Sequence, residues 1–171
     1  MWPLNLLPSL ALTLLVSVLW TNRTGAPWVP TPMNKVHKML ALAGVRPGDL
    51  VYDLGCGDGR TIVTAARHYG ARSVGIEIDP LRYLWCQALI TILGLRDRVR
   101  VIQGSFFGQD LSNANVVTCY LLQSTNEKLE GKFMRELDPG TRVVSNSSTF
   151  PRLHLRRRDS ETEHCLYTLN S

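Results

Sequence analysis

The sequence predicts an α/β protein with a mostly parallel β-sheet, a C-terminal antiparallel hairpin and an N-terminal transmembrane helix. Three observations support this fold class. Apolar strand-like runs alternate with helical patterns over residues 50–145, the first run ends in a glycine-rich loop, and residues 2–22 carry no charged side chain. Alternating strands and helices are typical of a parallel sheet, whose right-handed crossovers bring the strand C-termini to one edge. Ligands bind at that edge, so the glycine-rich loop is the first place to look for function.

Composition sets the outer limits of the interpretation. The chain has 171 residues, of which 44% are hydrophobic, enough for one compact domain with an appendage. Its net charge of +5 favours binding to an anionic surface or to an acidic partner. The alternative is an ordinary basic surface without a partner, and the charge does not by itself indicate nucleic-acid binding. The four cysteines are far apart without a C-x-x-C pair, so no metal site is predicted and a reducing compartment is favoured. Three of them lie in apolar patterns typical of core residues: Cys86, Cys119 and Cys165.

The uncharged N-terminal stretch is long enough for a membrane anchor, since about 20 apolar residues in a helix span the hydrocarbon core. Trp2 and Trp20 bracket the apolar run, as interfacial aromatic residues do. A secretory signal and a buried core helix are the alternatives. We predict an anchor at residues 1–22, a proline-rich linker at 23–32 and a folded domain at 33–171. The basic residues that follow, Arg23, Lys35 and Lys38, place that domain on the cytoplasmic face, or on the matrix face of a mitochondrion.

The pattern of the domain predicts its elements in chain order. Helices are expected over residues 33–43, 58–69, 80–93 and 124–137, and strands over 50–54, 73–78, 98–103, 115–122 and 141–145. Residues 150–158 and 163–169 are predicted to form the hairpin, and the segment before it is too short for a full helix.

Helix caps and one buried face are also predicted. Thr31 is expected to cap the first helix with Pro32 at its first position, and Asp79 to cap the third. Ser124 and Glu127 match a capping box at the start of the last helix. The expected buried face of the third helix consists of Leu81, Leu84, Trp85, Ala88, Leu89 and Ile92.

The glycine-rich loop carries the main functional signal. Asp53 ends the first strand, and Gly55, Gly57 and Gly59 follow at alternate positions before a helix. Such a loop lets backbone approach a ligand and is followed by free helix N–H groups. The spacing is not G-x-G-x-x-G and lacks the lysine of a P-loop, so dinucleotide and triphosphate sites are disfavoured. Glu77, at the end of the second strand, is placed to accept both hydroxyls of a ribose. The alternative is a glycine-rich turn in some other α/β protein.

The D-x-G-x-G-x-G run resembles motif I of class I S-adenosylmethionine-dependent methyltransferases, which implies a Rossmann-like seven-stranded sheet. It also implies S-adenosylmethionine as cofactor and S-adenosylhomocysteine as product. In that family the acid and glycines meet the methionine moiety, Glu77 meets the ribose, and Ile78 covers the adenine. Ser105 stands where the family commonly has an acid that reaches the adenine amino group. The predicted cofactor-binding residues are Thr31, Asp53, Gly55, Cys56, Gly57, Asp58, Gly59, Glu77, Ile78, Ser105 and Phe106. Phe106 and Phe107 are expected either to wall the site or to belong to the core.

Several further segments resemble one subfamily over residues 27–147. They are V-P-T-P, VYDLGCGDGR, VGIEIDP, the Tyr-Leu-Leu after the fourth strand, and ELDPGTRVVS. The subfamily is that of the membrane-anchored lysine methyltransferases for the ATP synthase c-subunit and the adenine nucleotide translocase, together with prokaryotic relatives. The departures are Ser105, Gln123 where relatives often have proline, and the S-N-S-S ending of the fifth strand.

The resemblance implies transfer of methyl groups to a lysine ε-amine of a protein. Planar amides and base amines are disfavoured as acceptors because the Asp/Asn-Pro-Pro-Tyr/Phe motif is absent after the fourth strand. The candidates for the catalytic residues are Tyr120, Gln123 and Asn146. The expected partners are a membrane protein that presents the lysine and the membrane itself, without nucleic acid. Arg156, Arg157 and Arg158 face lipid headgroups, an acidic partner or only solvent. The alternatives are a small-molecule or lipid methyltransferase, and a non-catalytic cofactor-binding protein.

Overall fold

The computed structural model describes residues 29–169, which form one seven-stranded sheet with helices on both faces. The helices are α1 (Met33–Leu42), α2 (Arg60–Tyr69), α3 (Pro80–Ile92) and α4 (Gln123–Glu136). The strands are β1 (Leu50–Leu54), β2 (Arg72–Glu77), β3 (Val99–Gln103), β4 (Val116–Cys119), β5 (Arg142–Asn146), β6 (His154–Arg158) and β7 (His164–Thr168). The predicted anchor and residues 23–28 of the predicted linker lie outside the described residues. Within residues 29–169, no helix is both long and apolar enough to cross a membrane.

The sheet has the order β3-β2-β1-β4-β5-β7-β6. Strands β1 to β5 are parallel, whereas β7 pairs antiparallel with both β5 and β6. The predicted parallel sheet with a C-terminal antiparallel hairpin is therefore confirmed. The strand order reverses between β1 and β4, and such a switch point opens a crevice at the carboxyl ends of the two strands.

Alternation of side chains along the strands assigns the helices to the two faces. Consecutive residues Val116 and Val117 of β4 belong to different hydrophobic clusters. The cluster of Val116 contains residues of α1 and α2. Other residues of α2 pack with α3 in a third cluster. The cluster of Val117 contains Leu129 and Phe133 of α4. Thus α1, α2 and α3 cover one face of the sheet and α4 covers the other.

The predicted buried face of α3 is wrong. Leu84 and Trp85 are each 59% exposed and Ile92 is 80% exposed, whereas Cys86 and Ile90 are buried. The helix is apolar on two sides, and Cys86 and Ile90 also recur at helical spacing. Periodicity alone cannot choose between two apolar stripes. The structure therefore leaves the larger apolar stripe on the surface.

Two of the predicted caps are also wrong. Pro32 occupies the N-cap of α1 without a side-chain hydrogen bond, so Thr31 does not cap this helix. Helix α4 begins at Gln123 and its N-cap makes no side-chain hydrogen bond, so the predicted capping box does not form. Asp79 does cap α3, since its carboxylate accepts hydrogen bonds from the backbone of Leu81 and Arg82, as predicted.

Strand β4 ends three residues earlier than predicted, at Cys119. Cys119 pairs with Leu54, the last residue of β1, so the sheet offers no neighbouring β1 residue to extend the ladder. The chain leaves the sheet here, and Tyr120 becomes 41% exposed. This early end places Tyr120 at the crevice rather than within the sheet.

Candidate cofactor-binding and active site

The loop after β1 is held against the end of β2 by backbone hydrogen bonds. The N–H groups of Gly55 and Cys56 both donate to the carbonyl of Ile76, at 2.9 and 3.1 Å. Gly55 has φ of +80°, which a residue with a Cβ rarely adopts. Gly75 in β2 allows the loop to approach, because a Cβ there would lie 2.6 Å from the Cys56 sulfur. The loop is thus fixed in a tight turn over the switch point.

Glu77 projects a fixed carboxylate from the end of β2. Its Oε2 accepts the N–H of Gly57 at 2.8 Å, and its Oε1 accepts the N–H of Asp79 at 2.9 Å. Arg82 lies 4.0 Å from Oε1. Burial raises the pKa of the Glu77 carboxyl. Because a carboxylate has about four acceptor positions, both oxygens keep capacity for the hydroxyls of a ligand.

Asp53 is a buried carboxylate at the floor of the crevice, 6% exposed at the end of β1. The Thr118 hydroxyl donates to its Oδ1 at 2.7 Å. Burial raises the pKa of Asp53 to about 6, although hydrogen bonds from Thr118 and Thr61 oppose the shift. None of the salt bridges among the described residues includes Asp53. A buried carboxylate stabilised only by hydroxyls is suited to a cationic ligand.

These groups line a cleft of about 990 Å³, a volume that includes its open mouth. Every predicted cofactor-binding residue except Gly59 lines it. Tyr120 and Phe107 also line it. Gly59 is instead the N-cap of helix α2, and its N–H donates to the Cys56 carbonyl at 2.9 Å.

The other two residues predicted as catalytic candidates do not line the cleft. The amide of Gln123 is bound to the backbone of Thr149, accepting its N–H at 2.8 Å and donating to its carbonyl at 3.2 Å. Asn146 is 1% exposed within β5. The structure brings only Tyr120 of the three to the cleft.

The segment after β3 supplies an aromatic wall. Ser105 accepts the N–H of Phe107 at 3.3 Å and so begins the short 3₁₀ turn Phe106–Gly108. The rings of Phe106 and Phe107 lie 4.9 Å apart and both line the cleft. Phe106 also packs against the core cluster that contains Leu54, so the two predicted alternatives, wall and core, both apply to it.

Sequence reasoning missed the residues that support the acids. Thr61 and Thr118, which stabilise Asp53, come from α2 and β4 and carry no local signal of this role. Arg60 forms an ion pair with Asp58 and donates to the Thr31 carbonyl at 2.6 Å, which ties the segment before α1 to the loop. Arg60 is the last residue of the VYDLGCGDGR segment, so the resemblance of that segment could have indicated a role for Arg60 at the site.

Four segments contribute residues to the cleft lining and also carry exposed apolar side chains: 29–33, 80–85, 104–109 and 120–123. We call these four segments the rim. Arg82 is their only charged residue, although 19% of the whole chain is charged. The charged pair Asp58 and Arg60 also lines the cleft but belongs to the loop after β1 and the start of α2. The rim carries exposed apolar side chains, and these are Val29, Met33, Leu81, Leu84, Trp85, Phe107, Tyr120 and Leu122.

A parallel sheet with this loop after its first strand and a fixed acid after its second belongs to the class I S-adenosylmethionine-dependent methyltransferases. Comparison with known proteins defines the group more narrowly. Residues 53–157 match the model of the family described as ANTKMT methyltransferase domain, and the chain belongs to this family.

Relatives and solved structures agree with this family. A protein-lysine N-methyltransferase of Saccharolobus islandicus is 42% identical over 82% of this chain and 91% of its own. The mouse adenine nucleotide translocase lysine N-methyltransferase is 34% identical, but this chain spans only 56% of its length. The crystal structure of an RNA methyltransferase from Salinibacter ruber with S-adenosylhomocysteine is 44% identical, with a TM-score of 0.78 over 84% of this chain and 95% of that one.

The cofactor is S-adenosylmethionine, and the cleft fits its chemistry. The cofactor carries positive charge, and the buried Asp53 carboxylate is suited to face it. None of the described salt bridges gives Asp53 a cationic partner. Its ribose offers two hydroxyls, which match the fixed Glu77 carboxylate. The protein is therefore a methyltransferase.

Proposed function

We propose that this protein transfers methyl groups to a lysine ε-amine of a membrane protein while anchored in the same membrane. The relatives named as lysine methyltransferases support the amine, above all the Saccharolobus protein, nearly all of whose length this chain matches. The observation that carries the proposal is a fixed cofactor cleft with Tyr120 at its mouth and only one charged residue on the rim.

We propose the following cofactor contacts, which the lining of the cleft supports. Asp53 and the loop from Gly55 to Gly59 hold the methionine part, and Glu77 holds the ribose. Ile78 and Phe106 enclose the adenine. The Ser105 hydroxyl already accepts one backbone N–H and keeps one acceptor position and its proton for the base.

The acceptor end is proposed to be formed by Tyr120. The bound cofactor supplies an activated methyl group, so the protein has mainly to align the amine and exclude water. A lysine ammonium, with a reference pKa of about 10.4, has no lone pair and must first lose a proton. The apolar surroundings of Phe107 and Tyr120 lower that pKa by desolvation. We propose that the Tyr120 hydroxyl orients the amine, which the presence of Tyr120 in the cleft lining supports, whereas Gln123 and Asn146 are not among the lining residues.

The anchor is proposed to consist of residues 1–22, joined by the linker at 23–32 to the domain at 33–171. Residues 2–22 carry no charge. The anchor would hold the domain on the cytoplasmic or matrix face and raise its effective concentration beside membrane-bound targets. The names of two relatives, lysine methyltransferases for the adenine nucleotide translocase and for the ATP synthase c-subunit, support a membrane setting.

One observation favours a second function, the methylation of RNA: the Salinibacter ruber protein of 44% identity is called an RNA methyltransferase. Binding to RNA depends on cations that neutralise phosphates. Arg82 is the only charged residue on the rim, and it lies 4.0 Å from Glu77 and 3.7 Å from Asp79. The rim thus offers little positive charge to a phosphate backbone, and we favour the protein substrate.

The experiment supplies full-length protein and radiolabelled S-adenosylmethionine to membranes and to total RNA of the source cell. Proteins, lipids and RNA are then separated and counted. Label in one protein band, released as methylated lysine after hydrolysis, is expected. Label confined to RNA or to the lipid extract would refute the lysine proposal. The Asp53→Ala variant serves as the control for background, because it lacks the carboxylate proposed to hold the cofactor.

A further inference from the structure

One feature of the described surface that the proposed function does not explain is an apolar stripe on α3. Leu81 is 39% exposed, and Leu84 and Trp85 are each 59% exposed, although they recur at the spacing of one helix face. Exposed apolar residues are common singly, but contiguous patches mark interaction sites. Methyl transfer inside the cleft gives these three side chains no role.

The stripe lies on the part of α3 that is close in sequence to the cleft-lining residue Arg82. Helix α3 begins directly after β2, at the carboxyl edge of the parallel strands. Its first six residues belong to the rim and rise only about 9 Å along the helix axis. Phe107 and Tyr120, on two other rim segments, are 43% and 41% exposed. The apolar stripe therefore lies on the same helix turns as Arg82, which lines the cleft, and two further exposed aromatic residues, Phe107 and Tyr120, line the cleft directly.

We infer that the rim docks on the lipid bilayer, inserting Leu81, Leu84, Trp85 and Phe107 at the level of the headgroups. This inference goes beyond the proposed function, because it gives the methyltransferase domain its own lipid contact whichever acceptor is methylated. Interfacial segments typically enter a bilayer by about 5–10 Å, a depth that large apolar side chains such as these can occupy.

Two observations favour lipid over an apolar protein partner. The first observation is the position of Val29, the first described residue, which lines the cleft and belongs to the rim. The uncharged stretch of residues 2–22 precedes it in the sequence by only a short linker. A segment suited to a bilayer thus joins the domain at the same edge. The second is composition. Trp85, Tyr83, Phe107 and Tyr120 give the rim the aromatic character of membrane interfaces, and its single charge is a cation.

The charge of the chain is compatible with this docking. The full chain has a net charge of +5, so long-range electrostatics does not oppose its approach to a bilayer with anionic headgroups. Docking of the rim would hold the cleft mouth at headgroup level. The lysines it reaches would then be those close to the membrane surface.

The test measures the depth of single positions in the full-length protein. The four native cysteines are buried, so an added surface cysteine is labelled selectively with the fluorophore NBD. Leu84→Cys reports on the rim, and Met134→Cys on α4 is the matched control. The two positions are similarly exposed, 59% and 53%, but lie on helices that cover opposite faces of the sheet. Phe107→Cys is a second rim position on a separate segment, independent of the folding of α3.

Labelled protein is added to vesicles of phosphatidylcholine and phosphatidylglycerol in equal parts, with or without bromine on the acyl chains. At the two rim positions, brominated lipid is expected to quench NBD emission to about half or less, because insertion by about 5–10 Å brings the fluorophore to the acyl chains that carry the bromine. Emission at position 134 is expected to stay unchanged. Unquenched rim positions on vesicle-bound protein would overturn the inference and indicate that the rim faces a protein instead. Failure of the protein to bind the vesicles would overturn it as well. Neither result bears on lysine methylation, which the labelling experiment above tests separately.

Discussion

Replacement of Asp53 by asparagine is expected to stabilise the free protein at neutral pH. The Asp53 carboxylate is buried at the end of β1, where its described hydrogen-bond donors are hydroxyl groups. Asparagine keeps an oxygen that accepts the Thr118 proton but removes the buried charge. The folded protein without cofactor therefore carries an electrostatic cost that the Asp53→Asn variant lacks.

The magnitude follows from the pKa of Asp53, which burial raises from 3.8 to about 6. A carboxyl with a raised pKa in the folded state binds its proton more tightly when folded, so ionisation destabilises the fold. The penalty begins near the unfolded pKa of 3.8, so a part of it is already present at pH 4, and it is complete well above the folded pKa. One pKa unit corresponds to about 1.4 kcal/mol, so the full penalty is about 3 kcal/mol. About 2 kcal/mol of it develops between pH 4 and pH 8.

Denaturant unfolding of both proteins without cofactor, at pH 4 and pH 8, measures this effect. The new amide group adds a constant contribution from its own desolvation, so the test is the change with pH in the difference between variant and wild type. We expect the unfolding free energy of Asp53→Asn, relative to wild type, to rise by about 2 kcal/mol from pH 4 to pH 8. A difference that stays constant, or that falls with pH, would refute the assignment of Asp53 as a destabilised buried charge.

Three further predictions concern the same site. The Kd for S-adenosylmethionine should rise about tenfold from pH 7 to pH 5, because protonated Asp53 cannot face a cation, and calorimetry should find this rise missing in Asp53→Asn. Gly75→Ala should destabilise the fold by about 1–3 kcal/mol in thermal unfolding, since its Cβ would lie 2.6 Å from the Cys56 sulfur. The matched Gly108→Ala, with no atom within 4 Å of its Cβ, should change stability little, and equal effects would contradict this packing argument. Tyr120→Phe should lower the rate of methyl transfer about 10- to 100-fold with an unchanged Kd for the cofactor, and unchanged turnover would exclude the hydroxyl.

The fold was largely predictable because its strands and helices alternate with clear punctuation. The carboxyl edge, the antiparallel hairpin and the Asp79 cap all follow from local patterns. Helix α3 was mispredicted because both of its sides are apolar. The choice between Leu84 and Cys86 depends on which side meets α2 and β3, and this tertiary contact has no local signature. Because of the same error, the sequence analysis did not predict the exposed apolar stripe on α3.

The cofactor site was predictable to a similar extent. The spacing of Asp53 and its glycines indicates the loop, and a strand-end acid indicates Glu77. The acceptor side of the cleft was not predictable from the sequence. It depends on where β4 ends, and β4 ends beside the end of β1 through the pairing of Cys119 with Leu54. Thr118 supports Asp53 from a neighbouring strand, a relation set by the register of the sheet rather than by sequence proximity.

Methylation of a membrane-protein lysine is tested most directly by mass spectrometry of membrane proteins. Membranes from cells without the enzyme are incubated with S-adenosylmethionine and either wild-type protein or Asp53→Ala. We predict that wild-type protein alone adds a mass of one or more methyl groups to a lysine near the membrane surface of one protein. The absence of any methylated lysine, with methyl groups found on RNA or lipid instead, would contradict the proposed function.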